Sequence, residues 1–114
     1  MIFGEPGVDV ILRHGTDAAM SAVNMSEALA KLSDRGAEMG WAERRIAQLI
    51  PTVFVFDQEI ARLAGSIRAA TRYRDISFGD RACLATGLRW SLPVVTADRA
   101  WSEVDLGVQV HQIR

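Results

Sequence analysis

The sequence predicts an α/β fold: one three-layer α/β/α domain in which helices cover both faces of a mostly parallel sheet. Short apolar runs of strand length alternate with helical patterns of about ten to fifteen residues, which is typical of βαβ units. No Asn-Gly hairpin signal joins two consecutive strands. At 114 residues the chain has room for one compact domain, spanning 1–114, with a single core.

The first half of the chain predicts a helix, a strand, two helices and a second strand. Their expected spans are 6–13, 18–23, 24–36, 38–49 and 52–56. Asn24 is expected to cap the second helix, and Gly36 to end it. The apolar stripe of that helix falls at i, i+3, i+4 and i+7, in Met25, Ala28, Leu29 and Leu32. Pro51 prevents the third helix from continuing into the β-branched strand that follows.

The second half predicts two helices and two strands. Asp57 is a good N-cap for a helix whose apolar residues Ile60, Leu63, Ala64 and Ile67 repeat at the helical period. Ser77 starts the next helix, which is small or apolar nearly all round and is therefore expected at the centre of the domain. The strands are expected at 92–96 and 108–113.

Charge and cysteine content narrow the functional class. The net charge is −1, so bulk attraction to nucleic acid is not encoded in the overall balance. Twelve of the thirteen cations are Arg, which favours bidentate binding to carboxylate or phosphate. The cluster Arg68, Arg72, Arg74 and Arg81 fits a solvated helix face and phosphate contact equally well.

The remaining features indicate a protein of the cytoplasm. The single Cys83 lies in an apolar helix and provides no disulfide framework. No apolar run reaches the ~18 residues of a membrane span, and no basic segment with an apolar signal core opens the chain.

Three acids, Glu27, Asp80 and Asp98, are placed where a parallel sheet gathers its ligands, beyond the carboxyl ends of the strands. Each also has a structural interpretation. Asn24-x-x-Glu27 and Ser77-x-x-Asp80 have capping-box spacing, and Asp98 fits the cap of a turn. Together, three carboxylates at one rim would repel each other unless a cation binds there, and Mg²⁺ or Mn²⁺ prefers such oxygen ligands. No His/Cys cluster suits zinc, and no glycine-rich phosphate loop is present.

The order of these motifs resembles that of PIN-domain ribonucleases, and more narrowly that of the toxin subunits of VapBC toxin–antitoxin pairs. The motifs are Ser21-Ala-Val-Asn24-x-x-Glu27, Ser77-x-Gly-Asp80-Arg81-Ala-Cys-Leu-Ala and Leu92-Pro-Val-Val-Thr96-Ala-Asp98-Arg-Ala-Trp101. The resemblance extends over essentially the whole chain, and the paired Asp80 and Asp98 motifs are fairly specific in combination.

The resemblance implies metal-dependent hydrolysis of RNA phosphodiester bonds, with Mg²⁺ or Mn²⁺ as cofactor. Glu27, Asp80 and Asp98 match three of the family's catalytic, metal-binding acids, and Thr96 matches a hydroxyl position beside the last of them. The residues expected to position RNA are Arg72, Arg74, Arg81 and Arg99. A VapB-like antitoxin is the implied partner, and a homodimer is expected, with an interface around Leu29 to Leu49.

One departure from the family pattern affects both stability and catalysis. PIN domains begin with a central strand that ends in the first metal-binding Asp, ahead of a segment like Glu5-Pro-Gly7, whereas this sequence starts at Met1-Ile-Phe. We therefore expect an N-terminally truncated domain that lacks this strand and its acid, with weak or no nuclease activity and a tendency to self-associate. The open explanations are a late start codon, a degenerate remnant, and a gap closed by re-pairing or by a partner's strand. The alternative function is a catalytically silent module that binds an antitoxin or a second copy of itself.

Overall fold

The computed structural model describes residues 2–4, 18–72, 76–96 and 110–112. Its strands are β1 (Ile2–Phe3), β2 (Ala19–Ser21), β3 (Thr52–Phe54), β4 (Val94–Thr96) and β5 (Val110–Gln112). Its helices are α1 (Ala22–Asp34), α2 (Met39–Leu49), α3 (Gln58–Ala70) and α4 (Phe78–Trp90). The helix expected at 6–13 lies outside the described residues.

In the described part of the chain, five strands form one sheet in the order β3-β2-β1-β4-β5, and every pairing is parallel. The centre of the sheet is not open, because β1 lies between β2 and β4, and this order agrees with a gap closed by re-pairing. Ile2 pairs with Ala19 on one side and with Val94 on the other. Its side chain is fully buried. The backbone of β1 pairs the edges that β2 and β4 would otherwise expose. The side chain at this central position is buried and is therefore apolar.

Helices cover both faces of the sheet, which confirms the predicted three layers. Alternate residues of a strand point to opposite faces. Ala19 and Val94 face a core shared with the buried residues of α3 and α4. Met20 and Val95 face a second core with α1 and α2. The apolar stripes read from the sequence are thus the faces by which the helices pack on the sheet.

Helix α4 is the central helix, as predicted. Its residues from Ala82 to Gly87 are all buried. It packs against α3 and α1 and also contacts β1, β2 and β4. None of the described helices is long and apolar enough to cross a bilayer.

The helix starts confirm two of the predicted caps and correct a third. The Ile60 amide donates to Asp57 Oδ1 at 2.9 Å, and the Asp80 amide donates to Ser77 Oγ at 3.2 Å. The prediction of Asn24 as an N-cap is wrong, because Ser21 caps α1 by accepting from the Val23 amide at 3.2 Å. Strand β2 ends two residues earlier than expected there, so Asn24 lies inside the helix and its side chain is free for another role.

Candidate functional site

Asn24 links the first predicted acid to the neighbouring helix. Its side chain is 2% exposed. The amide nitrogen Nδ2 donates to Glu27 Oε1 at 3.0 Å within α1 and to the Gly79 carbonyl of α4 at 3.0 Å. The contact between Asn24 and Gly79 joins residues 55 positions apart. Glu27 therefore does not complete the predicted capping box, and its carboxylate is turned toward α4.

Gly79 provides the space that this carboxylate occupies. A Cβ atom built on Gly79 would lie 2.6 Å from the carboxyl carbon of Glu27 and would overlap both of its oxygens. Glycine is otherwise an unfavourable residue in a helix. The motifs of the sequence alone give Gly79 no role, although a glycine in the first turn of a helix, two residues after the cap Ser77, is a signal of close approach.

Asp80 follows Gly79 and lies in the first turn of α4, where the helix dipole favours a negative charge. One helical turn further, Cys83 is fully buried. Burial raises the pKa of the Cys83 thiol, and the charges of Asp80 and Glu27 raise that pKa further. Both acids thus act on the same buried sulfur. The structure places the Glu27 carboxylate against Gly79, the residue that precedes Asp80, at the contact between α1 and α4.

The other predicted site residues are partly described. Thr96 ends β4, and Arg72 is exposed directly after α3. Arg81 is half-buried, and its Nη1 donates to the Ile76 carbonyl at 3.1 Å. Its guanidinium also lies 5.8 Å from the centroid of the Phe78 ring. The remaining candidates, Asp98, Arg74 and Arg99, lie outside the described residues.

The described oxygen atoms near the contact between α1 and α4 are of the kind that a hard divalent cation prefers. Glu27 and Asp80 supply carboxylate oxygens. Asn24, whose buried Oδ1 has no hydrogen-bond partner in the described structure, contacts Glu27 through its other amide atom, Nδ2. No group of three His, Cys, Asp or Glu side chains at metal-binding distances occurs among the described residues. Gly4, which follows β1 and lines the same cavity as Glu27, carries no carboxylate.

A cavity of about 430 Å³ opens beside Glu27 and Asn24, between α1 and α2. Its floor is apolar and includes Ile46 and Ile50. Three cations, Lys31, Arg35 and Arg45, are among its lining residues. Glu27 therefore borders a groove that is lined by basic side chains.

The layered parallel fold and the acids at its helix contact define an α/β domain with an acidic site. The chain belongs to the PIN-domain family, whose model, described as PIN domain, matches residues 2–106. This confirms the resemblance drawn from the motifs. No curated protein sequence matches the chain.

Several solved structures share the fold. FitAcB from Neisseria gonorrhoeae is 21% identical with a TM-score of 0.69, and the match covers 98% of this chain and 97% of that one. VapBC2 from Rickettsia felis, bound to a DNA fragment from its promoter, is 12% identical with a TM-score of 0.71 over 100% of both chains. VapBC-5 from Mycobacterium tuberculosis, described as a toxin–antitoxin system, is 22% identical with a TM-score of 0.60 over 99% and 96%. At these identities the similarity establishes the fold.

Proposed function

We propose that this protein is a metal-dependent endoribonuclease, the toxin of a toxin–antitoxin pair, and that Glu27, Asp80 and Asp98 are its catalytic, metal-binding acids. One observation carries the proposal. The carboxylate of Glu27 reaches from α1 to lie against Gly79 of α4, next to Asp80. Capping does not require this convergence, because Ser21 and Ser77 already cap the two helices. A shared cation explains why two like charges are placed together.

The chemistry follows from the oxygen donors. Glu27 and Asp80 would hold the cation from two helices, and Asp98 would supply the third carboxylate. Mg²⁺ or Mn²⁺ bound there would supply an activated water for in-line attack on a phosphodiester and would neutralise charge on the phosphate and on the leaving oxygen. Thr96 orients one of these groups. Arg72, Arg74, Arg81 and Arg99 position the RNA backbone through guanidinium–phosphate contacts.

The test is cleavage of a fluorescently labelled structured RNA with and without Mn²⁺. We expect slow, Mn²⁺-dependent cleavage that EDTA stops and that Glu27→Gln and Asp80→Asn each abolish. Glu43→Gln, at an exposed acid of α2, is the matched control and should retain the rate. Cleavage that persists in both site variants would show that these acids are not catalytic.

The position of Gly4 favours a second candidate, a catalytically silent module. Because Gly4, the described residue that follows β1, carries no carboxylate, the cation would have fewer ligands than the family pattern provides. Isothermal titration with Mn²⁺ separates the two functions. A silent module shows no saturable binding, whereas the nuclease binds Mn²⁺ and loses affinity in Asp80→Asn.

The proposal includes the partners. An antitoxin with an amphipathic segment suits the cavity beside Glu27, because apolar side chains would cover Ile46 and Ile50 while acidic ones meet Arg35 and Arg45. Acting on RNA with such a partner places the protein in the cytoplasm, where we expect a homodimer. Co-expression of the neighbouring gene product, followed by size-exclusion chromatography with light scattering, measures both assemblies.

A further inference from the structure

We propose that Asn24 is a positioning residue of the nuclease site, which holds the Glu27 carboxylate in its metal-binding place. This inference rests on the proposed function and adds a residue outside the set of acids. The side-chain amide of Asn24 connects the two helices. Its nitrogen donates to Glu27 of α1 and to the backbone carbonyl of Gly79 in α4.

The orientation of the amide follows from its neighbours. Both groups that face Nδ2, Glu27 Oε1 and the Gly79 carbonyl, are acceptors, and each lies 3.0 Å away. A flipped amide would direct Oδ1 at two other oxygens and would lose both hydrogen bonds. Asn24 therefore acts as a double donor, and one of its bonds is to a charged acceptor, which makes that bond stronger than a neutral one.

Asn24 and Gly79 together confine the Glu27 side chain. Nδ2 of Asn24 holds one carboxylate oxygen, the absent side chain of Gly79 leaves space for the whole carboxyl group, and the Gly79 carbonyl fixes the amide itself. A glutamate otherwise has several rotatable bonds, and it loses their freedom when it binds a cation. Asn24 has already fixed this geometry, so less ordering remains for the cation to impose.

Helix formation does not need the Asn24 side chain. Ser21 caps α1, and Asn24 lies in the helix interior, where Asn is a poor helix former. Its Oδ1 has no hydrogen-bond partner in the described structure although the side chain is 2% exposed. A buried unpaired carbonyl costs free energy, so an apolar residue would serve α1 better if packing were the purpose of this position.

The experiment is a double-mutant cycle on Mn²⁺ affinity by isothermal titration, with Asn24→Ala, Glu27→Gln and the double variant. Loss of an outer partner of a metal ligand typically weakens metal binding about 10- to 100-fold, and we expect Asn24→Ala to do so. In the Glu27→Gln background, the same substitution should change the affinity by less than about twofold, because the group it positions no longer carries the charge.

A purely structural role predicts a different result. Thr86 is the matched control, since it is also a fully buried polar residue, and its hydroxyl donates to the Ala82 carbonyl at 2.7 Å. Thr86→Val should lower the melting temperature and leave Mn²⁺ affinity unchanged. If the wild type binds Mn²⁺ and Asn24→Ala binds it equally well, or if the loss is the same in both backgrounds, the positioning role is overturned and the nuclease proposal stands. A wild-type protein without saturable Mn²⁺ binding overturns both.

The metal-free protein gives an independent readout. In ¹⁵N NMR spectra, the side-chain NH₂ of Asn24 should exchange slowly with water and shift in Glu27→Gln but not in Glu43→Gln. Rapid exchange of these protons would contradict the fixed amide.

Discussion

The carboxylate of Glu27 lies in the volume that a side chain at position 79 would need. Glu27 belongs to the second turn of α1 and Gly79 to the first turn of α4. The relationship joins two helices that are far apart in sequence. It explains a helical glycine that neither a turn nor a positive φ requires.

Gly79→Ala should separate function from stability. The new methyl group would displace the Glu27 carboxyl, which is the mobile end of a long side chain, so the helices need not move. Alanine favours a helix over glycine by up to about 1 kcal/mol, so the free energy of unfolding should change little or rise. We expect Mn²⁺ affinity and RNA cleavage to fall about tenfold or more, in line with other losses of ligand positioning.

Gly65→Ala in α3 is the control for this substitution. A Cβ at Gly65 meets nothing within 4 Å. It should therefore stabilise the protein by up to about 1 kcal/mol and leave Mn²⁺ binding unchanged. Equal Mn²⁺ affinities for both alanine variants would show that the Gly79 contact does not matter for the site.

Ile2→Ala tests the central position of β1. Ile2 is fully buried between β2 and β4, so its truncation should cost about 2–5 kcal/mol of unfolding free energy, measured by urea denaturation. Val53 lies in the edge strand β3 and is 37% exposed. Val53→Ala should therefore lower the free energy of unfolding much less, within about 0.5 kcal/mol. A neutral Ile2→Ala would mean that the sheet does not depend on this strand.

Cys83 should make stability fall at alkaline pH. Burial, then the charges of Asp80 and Glu27, raise the pKa of the thiol above its ordinary value of 9.0. Above pH 9 the unfolded chain loses this proton while the folded chain keeps it, so the unfolded state binds fewer protons and the free energy of unfolding falls as pH rises. The contribution is complete below that pH and declines by up to about 1.4 kcal/mol per unit above it.

Urea titrations between pH 8 and 10.5 compare the wild type with Cys83→Ala. Other groups titrate alike in both proteins, so the difference in stability between them should shrink as pH rises. Parallel curves would argue against a buried thiol.

Glu38 should stabilise α2 in a pH-dependent way. Its carboxylate accepts from the Gly40 amide at 2.7 Å and the Trp41 amide at 2.9 Å. These hydrogen bonds lower the pKa of Glu38 below its ordinary value of 4.5. The stabilisation is present above that value and is lost as pH falls through the lowered pKa. Glu38→Ala should thus lower the melting temperature at pH 7 and have a smaller effect near pH 3. An equal effect at both values would point to packing instead of capping.

The fold was largely predictable because the apolar periodicity is local. Ile60, Ala64 and Ile67 are buried as their spacing requires, and Asp57 and Ser77 cap the helices they precede. The choice between Ser21 and Asn24 was not predictable from spacing, because both residues can cap a helix. Their difference depends on where β2 ends, and the pairing of β2 with β1 and β3 determines that.

The site was predictable in part for the same reason. Glu27 and Asp80 stand out as acids near helix starts, but Gly79 and Asn24 act through contacts across the domain. A two-residue strand such as β1 has no periodicity to detect, so its place in the sheet follows only from the unpaired edges around it. The roles of Asp98, Arg74 and Arg99 in the site stay predictions, as do the catalytic roles of Glu27 and Asp80.

Because β1 is short, the two halves of the sheet are joined by few backbone hydrogen bonds. Two residues link the pair β2 and β3 to the pair β4 and β5, and the Ile2 amide also donates to the Pro93 carbonyl at 2.9 Å. In the described part of the chain, α4 also connects the two strand pairs, because it contacts β2 of one pair and β4 of the other. The helix that carries Asp80 therefore also packs across the junction between the two strand pairs. A shift of one pair against the other would be expected to move Asp80.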